Sequence, residues 1–316
     1  MNTVNSAQHV QSRTRDLGRF DAPVLVCGGA YSNLEAFKAL LAAAERMAIP
    51  KNHIVHTGDV IAYCADAAAT ADLLHESGAP AILGNVEESL AASSPDCGCG
   101  FNEGSVCDKL AAEWFSYADA QTGPELRRWM QLLPYHLTFE LSGRRVRAVH
   151  GSVQEVNRFM FSSLPDSAFE AEFAHADADI VVAGHSGIPF TRQVGSRVWH
   201  NSGSVGLPAN DGTPRVWFSV LTPERDGVHI EHHAFNYDHE LTKSKMLQAG
   251  VCTEYAETLS SGVWPSLDVL PDVEKQSTGK PLDLSEPVFC PAPVAEEKSG
   301  AAPKTGAPAP TIQETA

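Results

Sequence analysis

Residues 23–59 read PVLVCGGAYSNLEAFKALLAAAERMAIPKNHIVHTGD, and this stretch decides the fold class. The apolar run over 23–28 predicts a buried strand, and the Ala- and Leu-rich segment over 34–47 predicts a helix. HIVHTGD, over 53–59, predicts a second strand. A strand, a helix and a strand in this order favour parallel pairing with the helix packed on the sheet.

The pattern changes in the second half of the chain. Up to about residue 132 we expect further helices over 67–77, 109–118 and 124–132, with a strand over 80–85. HLTFEL and RRVRAVHG then flank Ser142-Gly143, which is a hairpin signal. Five more strand-like segments follow, with one predicted helix near 166–174. The sequence therefore predicts an α/β fold with a core of two mixed β-sheets.

Composition divides the chain into four regions. Residues 1–22 are polar, and we expect a flexible N-terminus. The main domain is predicted over 23–236, with a Cys-rich insertion at 93–108. Residues 237–272 have helical periodicity and a tryptophan, Trp264, that could dock on the main domain. The Pro-, Ala- and Glu-rich tail over 273–316 is predicted to be disordered.

Charge and composition exclude several classes of function. The 316 residues carry 39 acidic and 23 basic side chains, a formal charge of −16, which disfavours general binding to nucleic acid. No stretch approaches the roughly 20 apolar residues of a membrane span, so we expect no membrane partner. The polar first twenty residues lack the apolar run of a signal peptide, and seven cysteines are an odd number. We therefore expect a cytoplasmic protein.

Polar side chains in glycine turns follow the predicted strands. In α/β proteins, chemistry tends to lie at the carboxyl ends of strands, where loops and helix N-termini meet. The stretches at these positions are GGAYSN (28–33), GD (58–59), GNVE (84–87), HG (150–151), GHSG (184–187) and NSGSVG (201–206).

In their order and spacing, these stretches resemble the motifs of the calcineurin-like metallophosphoesterases, in particular their small bacterial and archaeal phosphodiesterase branch. That family's signature runs GD-x-HGN, GD, GNH-[DE], a lone H followed by G, and GH-x-H, with a closing N-x-GSVG-x-P. The resemblance covers about residues 23–222. It implies a four-layer sandwich, in which helices flank the two sheets, and a site for two divalent ions.

The chain departs from the family at one of these two ions. The resemblance implies that the first ion would need ligands at positions 29, 31 and 187, which are Gly29, Tyr31 and Gly187 here. It implies that the second ion is held by Asp59, Asn85, His150 and His185, all of which are present. We therefore expect a divergent member with one divalent ion, Mn²⁺, Zn²⁺ or Fe²⁺, since two imidazoles and two oxygens suit these metals. The alternative is a hydrogen-bonded network of the same residues without metal.

The resemblance also suggests catalytic residues. Asp59 and His150 would act at the ion, while Val86 replaces the histidine that stabilises the leaving group in the family. Glu87, the next residue, is a candidate proton donor, although acidic residues also favour helix starts for electrostatic reasons. Further candidates for contacts with the substrate are Tyr31, Ser32, Asn33 and Arg158.

The insertion contains a cluster of cysteines. Cys97, Cys99 and Cys107 form a C-x-C-x7-C pattern, and Cys64 could complete a set of four. Such spacing fits an additional Zn or Fe site, or a local disulfide that forms on oxidation.

The predicted function is that of a metal-dependent phosphoesterase, a hydrolase that acts on a small-molecule phosphoester through one retained ion. Two alternatives stay open. The first is a non-catalytic metal-binding or regulatory member of the fold. The second is a redox or other non-phosphoester enzyme that uses the Cys-rich loop.

Overall fold

The structure, a computed structural model, describes residues 13–292. This part of the chain contains eleven strands and nine α-helices. The strands are β1 (Thr14–Phe20), β2 (Val24–Cys27), β3 (Ile54–His56), β4 (His136–Leu141), β5 (Arg144–Ala148), β6 (Ile180–Ala183), β7 (Phe190–Val194), β8 (Arg197–Asn201), β9 (Val216–Glu224), β10 (Gly227–Phe235) and β11 (Val288–Pro291). The helices are α1 (Leu34–Arg46), α2 (Ala67–Ser77), α3 (Asn85–Ala92), α4 (Val106–Gln121), α5 (Pro124–Leu132), α6 (Asp166–Ala176), α7 (His239–Ala249), α8 (Thr253–Ser261) and α9 (Asp272–Gln276).

The strands form two mixed sheets. The six-stranded sheet has the order β1-β4-β5-β6-β8-β7, and the five-stranded sheet has the order β11-β10-β9-β2-β3. In the first sheet, β5, β6 and β8 are parallel, while β4 and β5 form the antiparallel hairpin predicted around Ser142-Gly143. In the second, β2 and β3 are parallel and β9 runs antiparallel to β2.

Apolar side chains fill the space between the sheets and cover their outer faces. The inner layer contains Val24 and Val26 of one sheet and Phe139 and Val182 of the other. Helices α1 to α5 pack on the outer face of the five-stranded sheet, and α6 packs on that of the six-stranded sheet. This arrangement confirms the predicted four-layer sandwich.

One predicted strand is absent from the described residues. Residues 80–85 make a single bridge, between His56 and Ala81, and do not form a strand. The N–H of Ile82 bonds to the His56 carbonyl, but the N–H of Leu83 bonds to the carbonyl of Pro134. The segment therefore leaves the sheet after one residue pair. Ile82 packs in the layer between the sheets, and Leu83 packs under the helices.

The first and last strands of the described residues lie in segments that we expected from composition to be flexible or disordered. Residues 14–20 form β1, which pairs in parallel with β4, so the expectation of a flexible segment over 1–22 is wrong for this part. Residues 288–291 form β11, which adds to the edge of β10 and buries Cys290 between the sheets. The predicted disorder over 273–316 is therefore wrong for this strand and for α9. Residues 1–12 and 293–316 lie outside the described residues.

These two strands escaped prediction because backbone hydrogen bonds hold them at sheet edges. β1 exposes most of its side chains and packs only Leu17 and Phe20 against the inner layer. β11 is a four-residue apolar patch in a polar region, so an average over the tail hides it.

No helix within residues 13–292 is long and apolar enough to cross a bilayer.

His136, the first residue of β4, gives a test of the fold by pH. It is buried, and its Nδ1 accepts a hydrogen bond from Arg147 at 3.0 Å. Burial and the charge of Arg147 lower the pKa of His136 to about 3. The unfolded chain takes up this proton near pH 6.5, so the folded state loses stability as the pH falls below that value.

We therefore expect the stability of the protein, relative to that of a His136→Gln variant, to fall by about 1 kcal/mol between pH 7.5 and 5.5. Urea denaturation at the two pH values measures this difference. The matched substitution His175→Gln, at an exposed position, should change it much less. A constant difference between the protein and His136→Gln over this range would contradict the neutral, buried His136.

Candidate metal centre

Four polar side chains converge where strands of both sheets end. Asp59 follows β3, Asn85 begins α3, and His150 and His185 follow β5 and β6. The Nε2 atom of His150 lies 3.0 Å from Asn85 Oδ1, 3.0 Å from His185 Nδ1 and 3.2 Å from Asp59 Oδ2. All four residues are buried. The structure thus brings together the predicted ligand set.

A hydrogen bond fixes the orientation of His150. Its Nδ1 lies 2.6 Å from the carbonyl oxygen of Thr57, so Nδ1 carries the proton and donates it to this oxygen. The Nε2 atom of the neutral ring then presents a lone pair to the other three side chains. Donation of the second ring nitrogen to a carbonyl is a usual arrangement for metal-binding histidines.

Burial and the charges of the cluster shift the pKa values of its members. Burial favours a raised pKa for Asp59, but His150, His185 and the N–H of Val86 outweigh it and lower the pKa. Burial alone would lower the pKa of His150, and the charge and hydrogen bond of Asp59 raise it instead. Burial and His150 together lower the pKa of His185 to about 3, so this ring is neutral near pH 7.

The arrangement fits a divalent cation. An imidazolium at His150 has one proton on Nε2, and that proton can bond well to only one of the three neighbouring acceptor atoms. A cation can contact all four side chains at once. Two imidazole nitrogens, a carboxylate and an amide oxygen form a mixed set that suits Zn²⁺, Mn²⁺ or Fe²⁺. The ligand atoms of Asp59, His150 and His185 all lie within 4.8 Å of one another.

Glu87 accepts hydrogen bonds from backbone groups next to the four side chains. Its Oε2 accepts hydrogen bonds from the backbone N–H groups of Asp59 at 2.7 Å and Gly84 at 2.9 Å, and its Oε1 accepts from Ile61. Burial and the nearby charge of Asp59 raise the pKa of Glu87 to about 7. The side chain ties the loop after β3 to the start of α3, and it does not line the cavity described below. These contacts hold backbone groups in place, and the expected role of Glu87 as a proton donor stays a prediction.

Aromatic rings lie beside Gly29 and Gly187, two of the positions at which the family has ligands of the first ion. A Cβ atom at Gly29 would lie 2.1 Å from the ring of Tyr31, so the Tyr31 ring covers the position where a ligand at residue 29 would begin. Gly187 has a φ of +68°, and a Cβ there would lie 3.4 Å from the ring of Trp264. Trp264 is held by bonds to the Pro208 carbonyl and the Asn210 side chain.

A cavity opens beside the four side chains. Asp59 and His185 contribute to its wall, as do the hydroxyl residues Ser186, Ser204 and Ser266. The rest of the wall is mainly aromatic, with six rings: Tyr31, Tyr63, Phe101, Phe159, Tyr255 and Trp264. Among the described residues, no Lys or Arg side chain lines it.

Of the four candidate substrate contacts, only Tyr31 lines this cavity. The Ser32 hydroxyl accepts a bond from the N–H of Ala62, and Asn33 caps α1 and donates to the Gly206 carbonyl. Arg158 forms an ion pair at 2.7 Å with Glu172, which is fully buried. In this structure the three side chains bond to other parts of the protein and do not line the cavity, and their expected contact with substrate stays a prediction.

The cysteines do not form a common metal site in this structure. Cys97 and Cys99 are joined by a disulfide, while Cys64 and Cys107 are free thiols. Cys99 and Cys107 line the cavity, but Cys64 is buried elsewhere and has an elevated pKa because of that burial. Of the two alternatives that the spacing left open, the structure has the local disulfide.

Sequence reasoning missed most of the aromatic wall. Tyr63, Phe159 and Tyr255 come from a loop after β3, a loop after β5 and helix α8. None of them lies in a strand-end motif, so only their location in space marks them. Trp264 was the one signal in the sequence, as a large aromatic residue in a segment that was expected to dock.

The four-layer fold and the buried set of nitrogen and oxygen ligand atoms form a candidate metal centre. The sequence profile of the calcineurin-like phosphoesterase superfamily domain matches residues 25–225, and the chain belongs to this superfamily. Metallophosphoesterases of this kind use divalent metal ions.

Two solved structures share the fold. A hypothetical protein from Pyrococcus horikoshii OT3 is 17% identical, with a TM-score of 0.65 over 77% of this chain and 99% of its own. A metallophosphoesterase from Sphaerobacter thermophilus is 19% identical, with a TM-score of 0.60 over 77% of this chain and all of its own. A comparison with curated proteins found no match.

The contact between Tyr31 and Gly29 gives a test of the aromatic wall. We expect Gly29→Ala to lower the free energy of unfolding by roughly 1–3 kcal/mol, because the new methyl group overlaps the Tyr31 ring. In a Tyr31→Ala background the same substitution should cost much less, and urea denaturation of the four proteins measures this coupling. Gly123→Ala is the control, since a Cβ at Gly123 meets no atom within 4 Å. Additive effects of the two substitutions would contradict the contact.

Proposed function

We propose that this protein is a metal-dependent phosphoesterase that acts with a single divalent ion held by Asp59, Asn85, His150 and His185. The observation that carries the proposal is the convergence of three acceptor atoms on His150 Nε2 at 3.0–3.2 Å. The ion, when bound, would polarise a phosphoryl oxygen and lower the pKa of the attacking water. Membership of the superfamily supports hydrolysis of a phosphoester as the reaction class.

Tyr31 is the protein group proposed to contact the phosphoryl group. Its ring stands on the side of the first ion, and its hydroxyl makes no hydrogen bond to any described residue. Burial and the nearby Tyr63 and Asp59 raise the pKa of Tyr31 well above its usual value. The hydroxyl therefore stays protonated near pH 7 and can donate a hydrogen bond to a phosphoryl oxygen.

The wall of the cavity favours a substrate of low charge. A phosphodiester carries one negative charge, whereas monoesters and polyphosphates carry two or more. Extra phosphate charges need Lys or Arg partners, which this wall lacks, and Asp59 repels them. Aromatic rings suit an apolar or aromatic ester group. We propose a phosphodiester with such a group as the substrate class.

A second candidate function is that of a non-catalytic, metal-binding member of the fold. The lack of family ligands at Gly29, Tyr31 and Gly187, and Val86 in place of a histidine, favour it. Metal binding without turnover on a broad panel of phosphoesters would support this candidate over the first.

The first prediction for the proposed centre concerns the ion. Isothermal titration of the metal-free protein with Mn²⁺ should give one equivalent. His150→Ala and, separately, Asn85→Ala should weaken Mn²⁺ binding at least about 10-fold, because each removes one of the four proposed ligands. His175→Ala, at an exposed position, should bind as the unchanged protein does. Two equivalents, or none, would contradict a single-ion centre.

The second prediction concerns Tyr31. We expect Tyr31→Phe to lower kcat/KM for bis(4-nitrophenyl) phosphate by about 10- to 100-fold, since one hydrogen bond to a charged group contributes about 1.5–3 kcal/mol. The Kd for Mn²⁺ should not change. Activity on 4-nitrophenyl phosphate and on ATP should be much lower than on the diester. Equal rates on the diester and on ATP would contradict the proposed substrate class.

A further inference from the structure

The Cys97–Cys99 disulfide lies between the metal centre and the surface. The bond closes a loop of three residues within the insertion, and both cysteines are more than nine-tenths buried. Cys99 lines the cavity beside Asp59 and His185. Both cysteines also line a second, outer groove, on the other side of the loop, together with Pro95 and Asp108. Asp59 and His185 do not line this second groove, so the disulfide borders both the cavity and a groove outside it.

The disulfide loop holds one of the four ligand side chains. The Nδ2 atom of Asn85 donates to the carbonyl of Cys97 at 2.9 Å and to Cys99 Sγ at 3.4 Å. The Oδ1 atom of the same amide lies 3.0 Å from His150 Nε2. Because a carboxamide is planar, a loop that fixes its nitrogen also fixes the direction of its oxygen.

The loop is also held from its other side. Asn157 donates through Nδ2 to the carbonyl of Gly98 at 2.8 Å. Asn157 lies in the segment that follows His150, so the middle of the loop contacts the second half of the site. The loop is therefore hydrogen-bonded to Asn85 on one side and to Asn157 on the other, and the disulfide restricts the conformations that it can adopt.

Stabilisation of the fold does not explain this disulfide well. A disulfide stabilises a protein mainly through the length of chain that it closes, and a loop of three residues is among the shortest possible. The other five cysteines are free thiols, so the chain does not rely on a disulfide framework. What distinguishes this pair is its contact with Asn85, a proposed ligand, and its position between the cavity and the outer groove.

We propose that Cys97–Cys99 is a redox-active disulfide whose reduction by a dithiol weakens the hold of Asn85 on the ion. This inference rests on the proposed role of Asn85 as a ligand. One thiolate of the dithiol attacks a sulfur atom of the pair and forms a mixed disulfide. Its second thiol then displaces the remaining cysteine. The products are the oxidised, cyclic form of the dithiol and two cysteine thiols, a balance of two electrons and two protons.

The redox step is tested first by counting thiols. The protein is equilibrated in mixtures of reduced and oxidised dithiothreitol, then labelled with a thiol reagent under denaturing conditions and weighed by mass spectrometry. The label count should rise from five to seven as the buffer becomes more reducing, and should return to five on reoxidation. A Cys97→Ser, Cys99→Ser double variant should keep five labels throughout. A count that stays at five in fully reduced dithiothreitol would overturn the proposal.

The effect on the centre is tested by metal affinity. Mn²⁺ is the probe, because it prefers oxygen and nitrogen ligands and gains little from new thiols. The Kd is measured by electron paramagnetic resonance after removal of the dithiol. We expect reduction to raise this Kd at least about 10-fold, as the loss of groups that orient metal ligands does elsewhere.

Two variants separate the causes. The Cys97→Ser, Cys99→Ser protein should bind Mn²⁺ as weakly as the reduced protein does, with or without dithiol. Cys107→Ser removes a free thiol from the same cavity and should keep the full redox response. If the double variant does not fold, the oxidised and reduced forms of the unchanged chain still decide the matter.

The outcomes distinguish this inference from the proposed function. One Mn²⁺ bound with equal Kd in both redox states overturns the redox role and leaves the metal centre in place. Failure to bind Mn²⁺ in either state overturns the single-ion proposal, and the redox proposal with it.

Discussion

The hydrogen bond from His150 Nδ1 to the carbonyl of Thr57 is the contact on which the site depends. Thr57 follows β3 of the five-stranded sheet, and His150 follows β5 of the six-stranded sheet. The bond therefore joins the carboxyl ends of strands from two separate sheets. It also sets which nitrogen of His150 faces the other ligands. Glu87 ties the next pair of loops, through the N–H groups of Asp59 and Gly84. Together these contacts fix the backbone from which the donors project.

The same backbone presents an asymmetric site. The four proposed ligand side chains lie on one side of the site. On the other side, the ring of Tyr31 lies against Gly29 and that of Trp264 against Gly187. Two ions about 3.5–4 Å apart can stabilise both the attacking and the leaving oxygen of a phosphoryl transfer. A single ion serves one side only, so in the proposed reaction the aromatic side has to contribute through exclusion of water and the hydroxyl of Tyr31. A site with one ion and an aromatic wall without Lys or Arg suits the proposed phosphodiester, which carries a single negative charge.

The sequence was sufficient for the features that repeat along the chain. The succession of strand and helix patterns predicted the two sheets, and the resemblance of the strand-end motifs to the metallophosphoesterases predicted that Asp59, Asn85, His150 and His185 lie together. Local patterns cannot reveal partners that come from elsewhere in the chain. Arg158 looked free until Glu172, on α6, was found to bind it. Glu87 looked like an acid at the start of a helix, and its role depends on a loop 28 residues earlier.

Edges of sheets and irregular loops were the least predictable for a related reason. β1 and β11 are held by backbone hydrogen bonds, which any sequence can make, so composition carried little information about them. The pairing of Cys97 with Cys99 was open as well, since spacing alone fits either a metal or a disulfide. The hydrogen bond from Asn85 to the Cys97 carbonyl, which the spacing does not reveal, links that pair to the proposed metal centre.

The energetics of the donor cluster argue for a cation at this position. Buried polar groups are costly unless they are paired, and removal of a buried charge from water is costlier still. In the described structure, Asp59 and Asn85 both direct oxygen atoms at one nitrogen of His150, with His185 as a third neighbour. A protonated His150 offsets the charge of Asp59. Its single Nε2 proton is then used by Asp59, so Asn85 and His185 lack a hydrogen-bond partner there. A divalent ion offsets the charge and contacts all four groups, and any ligand that binds only the folded chain adds to its stability. This comparison supports the proposal that the cluster is a binding site and not a structural element of the core.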